Sequence, residues 1–197
     1  MAKVDLRLRP VVAPSLVVVA TAFDDEGQAD ACTLAFCTMS GHKPPCVTIS
    51  INATARRKTL KSILARRTFG VSFPSVAQMR EADYLGVESG YNADKVPACG
   101  LTFSHGHVLD VPVVDQFPVT LECALVASVT YGSHMQLTGE IRNILADETV
   151  LDEDGRIVLE KSDPIFYDEE TRTYFRMGER IGDAFAQGAE LRRQLGE

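Results

Sequence analysis

Read from the N-terminus, the first clear pattern is Ser15-Leu16-Val17-Val18-Val19-Ala20-Thr21-Ala22-Phe23, an apolar, β-branched run too short for a typical helix. Such a run reads as a buried strand. Asp24-Asp25-Glu26-Gly27 supplies turn chemistry, and Ala29 to Met39 returns as a second strand, making a hairpin. Pro44-Pro45 marks a tight connection before a third strand over Cys46–Ile51, because proline fixes the backbone and removes a donor. Leu60, Ile63 and Leu64 then fall at i, i+3 and i+4, the spacing of a helix with one apolar face, with Thr59 as its N-cap. Thr68–Phe73 is a fourth strand stopped by Pro74, and Ser75 caps a second short helix carrying Val76 and Met79.

Ser89 to Gly100 reads as a loop and Leu101–His107 as a short strand. The longest β-type runs, Val119–Tyr131 and His134–Leu145, are joined by Gly132-Ser133, a good hairpin pair. A short strand over Thr173–Arg176 and a helix over Gly182–Leu195 complete the chain, with Phe185 and Leu191 available for packing. Many strands with few helices predict a mainly β barrel dressed with short helices, not alternating βαβ units. No repeat or polar linker divides the 197 residues, so one domain over 1–197 is expected. The Gly-x-Gly-x-x-Gly signature of dinucleotide-binding folds is absent after the first strand.

Charge and cysteine content narrow the setting. The net charge is −7, from 27 acidic and 20 basic residues, which argues against a general nucleic-acid binder. The N-terminal residues lack the apolar core of an export signal, and the longest apolar stretch falls short of a membrane span. Five cysteines, an odd number without metal-ligand spacing, read as reduced packing residues in a cytoplasmic protein. No metal site, catalytic triad or carboxylate pair is evident.

Against this acidic background, Arg56-Arg57-Lys58-Thr59 stands immediately before the Leu60/Ile63 helix. A helix start offers unpaired N–H groups to an anion, and arginine offers a planar fork suited to phosphate. Two readings fit: a phosphate site using Arg57 and Thr59, or a solvated basic face that continues through Lys61, Arg66 and Arg67.

Several segments, in order, resemble the flavin reductase-like family, which includes flavoredoxins, ferric reductases and reductase components of two-component monooxygenases. Pro14–Thr21 is similar to its first barrel strand. Ala31–Ser40 followed by Pro44–Ile51 resembles its flavin-ring strand and loop. Arg57-Lys58-Thr59-Leu60 looks like its "R-x-T" phosphate motif, and Ser89-Gly90-Tyr91-Asn92-Ala93-Asp94-Lys95 like its "SG…DK" loop. Gly132-Ser133-His134 with Gly139-Glu140-Ile141 resembles its "GDH…GEV" hairpin. Tyr174 and Gly178 add weaker similarity.

The resemblance implies an FMN-binding split barrel, a six-stranded Greek-key barrel with flanking short helices, acting as a homodimer. It places Thr33, Leu34, Ala35 and Thr38 along the flavin ring and Ser50, Ile51 and Asn52 beside the ring and ribityl chain. Arg57 and Thr59 would hold the phosphate, and Lys95 would reach the flavin or its phosphate. Ala35 stands where many relatives carry serine, and Ser133 where aspartate is usual. His134 is the candidate catalytic residue, donating to the reduced ring or positioning a nicotinamide; an ordinary surface histidine is the alternative. The implied activity is an NAD(P)H-dependent flavin reductase, with NADH or NADPH as co-substrate and a flavin, metal complex or protein as electron acceptor. A flavoredoxin-type electron carrier and a flavin-storage protein are the rivals. Nucleic-acid and membrane partners are not expected.

Overall fold

The computed structural model describes residues 2–10 and 14–195. Its centre is a seven-stranded antiparallel sheet in the order β3-β2-β6-β9-β10-β5-β4. The strands are β2 (Val18–Phe23), β3 (Ala29–Leu34), β4 (Cys37–His42), β5 (Pro45–Asn52), β6 (Thr68–Phe73), β9 (Val119–Tyr131) and β10 (His134–Ala146). Strands β3 and β4, the two edges, are consecutive in the chain and separated only by Ala35-Phe36. The single strand expected over Ala29–Met39 is therefore one strand with a bend. Its first half pairs with β2 and its second half with β5. The Ser50 amide donates to the Phe36 carbonyl at 2.9 Å across the bend. Counting β3 and β4 as one bent strand gives six strands closed on themselves, the expected barrel.

Parity along β2 explains its unbroken apolar run. Val18, Ala20 and Ala22 face the barrel interior with Ile49, Phe69, Val71 and Leu137. Val17 and Val19 face outward into a second core. That outer core is formed with α2 (Met79–Val87), α3 (Lys95–Ala98) and Ile165, through Leu85, Val96 and Phe117. A strand buried on both faces loses the alternation that marks a half-exposed one. Helix α1 (Lys58–Arg66) inserts Leu60 and Ile63 into the interior core, while Leu64, expected on the same face, lies at the margin and is exposed. At the β9–β10 bulge Gly139 lies so close to Phe69 and Cys123 that a Cβ there would collide with both.

Smaller elements depart from the sequence reading in instructive ways. Arg57, extended at φ −105° and ψ 114°, is the residue before α1, and no side chain caps that helix; Thr59 is fully buried instead. Ser75 does form a capping box with Gln78, on a 3-10 turn (Val76–Gln78) that runs into α2. The 89–100 loop contains α3. The strand read over Leu101–His107 is shorter, β7 (Phe103–His105), and pairs with β8 (Pro112–Val114). A small sheet joins β1 (Ser15–Leu16), β11 (Ile165–Asp168) and β12 (Thr173–Arg176) in the order β1-β11-β12. Between β10 and β11 lie a 3-10 turn (Glu148–Val150) and one short helix, α4 (Leu159–Ser162). The C-terminal helix α5 spans only Ala186–Gln194, and Phe185 and Leu191 are exposed. All five cysteines are free thiols, Cys32 and Cys123 buried. No helix among the described residues is long and apolar enough to cross a membrane.

Glu122 on β9 is fully buried. Its carboxylate accepts the amides of His107, Val108 and Leu109 at 2.9, 2.9 and 2.6 Å and the Asn143 amide at 2.7 Å. Burial opposes its charge, but these four donors outweigh it and hold the carboxyl below the usual range. A depressed native pKa gives stability that is full above the unfolded value, about 4.3, and is lost as pH falls through the native value. Glu122→Ala orphans three amides at ~1–3 kcal/mol each. It should lower unfolding free energy by about 3 kcal/mol or more in urea titrations at pH 7, with a smaller deficit at pH 3. An equal deficit at both values would show that the carboxylate's charge is not what holds the 106–109 turn.

Candidate functional site

The bend that closes the barrel also opens a concavity near the predicted residues. A cavity of about 560 Å³ runs along the seam, within the range of pockets that take cofactors. Thr33, Leu34 and Ala35 border it from one strand, Ser50, Ile51 and Asn52 from the facing one. Arg57 stands at the α1 end, and Ser133 and His134 come from the β9–β10 hairpin. The sequence reading missed Cys32, Phe36, Pro10 and Glu169, which complete the lining. Phe36 was hidden by the unread bend, and Glu169 by the unread β11. Pro10 belongs to the N-terminal segment, which is tied to the β11–β12 turn by Arg9 on Glu170 at 2.6 Å.

The chemistry differs from end to end. At the hairpin, the Phe36 and His134 rings lie 5.6 Å apart, tilted by 51°. The Ser133 hydroxyl and His134 Nδ1 are 2.9 Å apart, so the serine supplies a local partner where an aspartate was noted as missing. In the middle, the Asn52 side-chain oxygen accepts the amides of Thr54 and Ala55 and the Thr54 hydroxyl, folding the 52–55 turn. The Asn52 Nδ2 amide takes no part in that turn. Leu34 and Ile51 are core residues that bound the cavity from within.

At the α1 end the basic run divides. Lys58 pairs with Asp24 at 2.8 Å and Lys61 with Asp25 at 3.7 Å, while Arg66 donates to the Asp24 carbonyl. These side chains serve the β2–β3 turn, as the solvated-face reading required. Arg57 turns the other way and lines the cavity. Its Nη1 donates to the Glu88 carbonyl at 3.4 Å.

Three predicted site residues are placed elsewhere. Thr38 is exposed on β4, bonded to the Met39 carbonyl, and does not line the cavity. The Thr59 hydroxyl donates to Asp30 at 2.5 Å beneath the helix, so its proton is directed to that carboxylate and not into the cavity. Lys95 is 2% exposed. Its ammonium donates to the Leu85 and Glu88 carbonyls at 3.3 and 3.2 Å and lies 3.6 Å from Asp30. It is therefore neither a solvated loop lysine nor a group reaching into the cavity. Thr33 does line the cavity, but its hydroxyl is given to the Ala82 carbonyl of α2.

The "SG…DK" loop thus acts through the arginines. Lys95 and Arg57 share the Glu88 carbonyl. Ser89 donates to the Arg56 carbonyl at 3.2 Å, and Arg56 lies over Tyr91 at 4.9 Å. Gly90 is pressed against the Asp30 carboxylate with no room for a Cβ. The loop fixes Arg57 by its backbone and side-chain contacts, with the buried Asp30–Lys95 pair as its anchor.

Burial favours the neutral thiol in the two cysteines nearest the strand bend. Burial raises the Cys32 thiol, and pushes Cys37 up to about 11. Among the described residues, no group of three or more His, Cys, Asp or Glu comes together to hold a metal. The donor set fits FMN: one guanidinium for a phosphate, polar side chains along the middle, and an apolar and aromatic strand bend for a planar ring.

A closed six-stranded barrel with a cationic-to-aromatic cavity along its seam is the architecture of a flavin-binding split barrel. A family model described as the flavin reductase like domain matches residues 12–174, and the chain belongs to that family. A sequence comparison with curated proteins gives no match. Among solved structures, the flavoredoxin of Desulfovibrio vulgaris (Miyazaki F) is 31% identical, with a TM-score of 0.89 over 95% of this chain and 100% of its own. The flavoredoxin of Methanosarcina acetivorans is 23% identical, with a TM-score of 0.89 over 97% and 100%. An FMN-binding protein from Thermus thermophilus with bound 1-cyclohex-2-enone is 25% identical, with a TM-score of 0.76 over 93% and 97%.

Two substitutions separate the arginine's contact from its support. Arg57→Ala should weaken FMN by at least tenfold and riboflavin by less than threefold, measured by quenching of flavin fluorescence; equal losses would show that Arg57 does not meet the phosphate. Asp30→Ala leaves a buried, unpaired lysine, a change that costs about 3–5 kcal/mol. It should depress thermal stability sharply, whereas Arg57→Ala should leave it almost unchanged in calorimetry.

Proposed function

We propose that this chain binds FMN in the seam cavity and works as an NAD(P)H-dependent flavin reductase. The observation that carries the reading is the convergence of Arg57, the Leu34–Phe36 bend and His134 on one cavity. FMN, when bound, supplies the redox chemistry, taking a hydride and releasing electrons singly or in pairs. The protein's part is to bind, orient and polarise. Arg57 holds the phosphate, and Ser50 and Asn52 offer polar contacts along the chain that carries it. Leu34, Ala35 and Phe36 give the ring an apolar wall. The Ser133 hydroxyl, 2.9 Å from Nδ1, orients the His134 imidazole so that Nε2 can meet the ring.

The outer edge of β9 supports a homodimer. Beyond Leu125, whose amide still donates to the Arg67 carbonyl, β9 pairs only with β10 among the described residues, and Val126, Val129 and Tyr131 are exposed there. An unpaired apolar edge of this kind is normally covered, and a second copy would cover it. Light scattering should return twice the 21.5 kDa chain mass; a mass of one chain at micromolar concentration would remove the dimer. The expected compartment is the cytoplasm, consistent with five free thiols.

A second reading has its own support. The net charge of −7 suits electrostatic docking on a basic redox protein, and the 31% identical structure is a flavoredoxin. On this reading FMN is reduced by a partner and not by nicotinamide. Anaerobic mixing with NADH and with NADPH separates the two. The reductase reading expects the visible flavin absorbance to bleach within seconds; no bleaching with either nucleotide, together with rapid reduction by a redox protein, would transfer the assignment to the carrier.

A further inference from the structure

One wall of the seam cavity comes from outside the barrel. Pro10 and Glu169 line it there, and Pro10 is itself exposed, so it stands at the rim. Residues 2–8, which precede it, are exposed and form no helix or strand. What fixes Pro10 is its neighbour. Arg9 Nη2 donates to the Glu170 carboxylate at 2.6 Å, and the two side chains are 36% and 46% exposed. Neither Arg9 nor Glu170 lines the cavity.

The receiving side of this ion pair is well held. Glu170 follows Glu169 in the turn between β11 and β12. The Asp168 carboxylate accepts the Glu170 and Thr171 amides at 3.1 and 3.3 Å and the Thr171 hydroxyl at 2.5 Å, folding that turn on itself. Ser15 pairs with Tyr167 of β11, so the chain meets the same small sheet on both sides of Pro10. Proline stiffens the contact, because its ring fixes φ. An exposed ion pair is weak and is screened by salt. Arg9 and Pro10 belong to neither hydrophobic core, so parting the pair frees the rim without unpacking the barrel.

We propose that Arg9 and Pro10 form a latch on the rim of the seam cavity, closed by the Arg9–Glu170 ion pair, that governs how fast a flavin enters and leaves. The inference rests on the seam cavity being the flavin site. Arg9 is a positioning residue: it places Pro10 and touches no ligand.

Stopped-flow fluorescence of flavin release from the loaded protein tests it, with FMN and riboflavin as the two ligands. Arg9→Glu and Glu170→Arg should each speed release of both flavins by about threefold or more, the scale of an exposed pair turned repulsive. The doubly exchanged protein, Arg9→Glu with Glu170→Arg, should return to within about twofold of the parent, as a direct pairwise contact requires. Riboflavin has no phosphate for Arg57, so its release isolates the latch. Added salt should quicken it in the parent and leave it unchanged in Arg9→Ala. Two results would overturn the latch: no rescue on exchange, or an effect confined to FMN, which would place Arg9 on the phosphate. Flavin that binds but leaves at the parent rate from every variant removes this inference alone. Failure of both flavins to bind the parent removes the reading of the cavity and this inference with it.

Discussion

The buried ion pair between Asp30 and Lys95 organises the Arg57 end of the cavity. Both side chains are almost fully buried, 3% and 2% exposed, where neither charge survives without a partner. Thr59 adds a hydroxyl to the carboxylate, and the Leu85 and Glu88 carbonyls receive the ammonium. These contacts gather β3, the first turn of α1, the end of α2 and α3 into one polar knot. The net contribution of such a pair to stability is small, because desolvation offsets attraction, but removal of either partner is expensive. Its value lies in location. It sets where the Glu88 carbonyl stands, and that carbonyl receives Arg57.

This arrangement shows why residue type and order were enough to gather much of the cavity lining but not every contact around it. The hairpins, the long β9–β10 pair and the α1 face were legible from alternation and turn chemistry. Arg57, Ser50 and His134 were legible from motif order. Thr59 and Lys95 were not, because a threonine at a helix start and a lysine in a loop look the same whether they face a ligand or a buried carboxylate. Asp30 was the missing signal: an acidic residue inside an apolar strand must be paired when buried. The 29–42 bend escaped for a related reason. Both halves carry ordinary strand residues, and only their different neighbours, β2 and β5, reveal that the strand changes partners.

The site mixes fixed and adjustable parts. Arg57, the 52–55 turn and the Leu34–Ile51 floor are held by core packing or by hydrogen bonds to main chain. His134 and Phe36 sit at the exposed hairpin side, and their geometry depends on a single serine contact and one ring contact.

The bent strand has a mechanical consequence. Because one segment supplies both edges of the sheet, the barrel is closed by a few contacts around Leu34–Cys37, and these are where it can breathe with least loss of core burial. Any molecule seated along the seam touches both halves of that segment and acts as a clasp. Its binding free energy then adds to the cohesion of the whole barrel in proportion to RT ln(1 + [L]/Kd). Hydrogen exchange at the amides of β3 and β4 thereby becomes a gauge of site occupancy, read from the backbone and not from the colour of the cofactor.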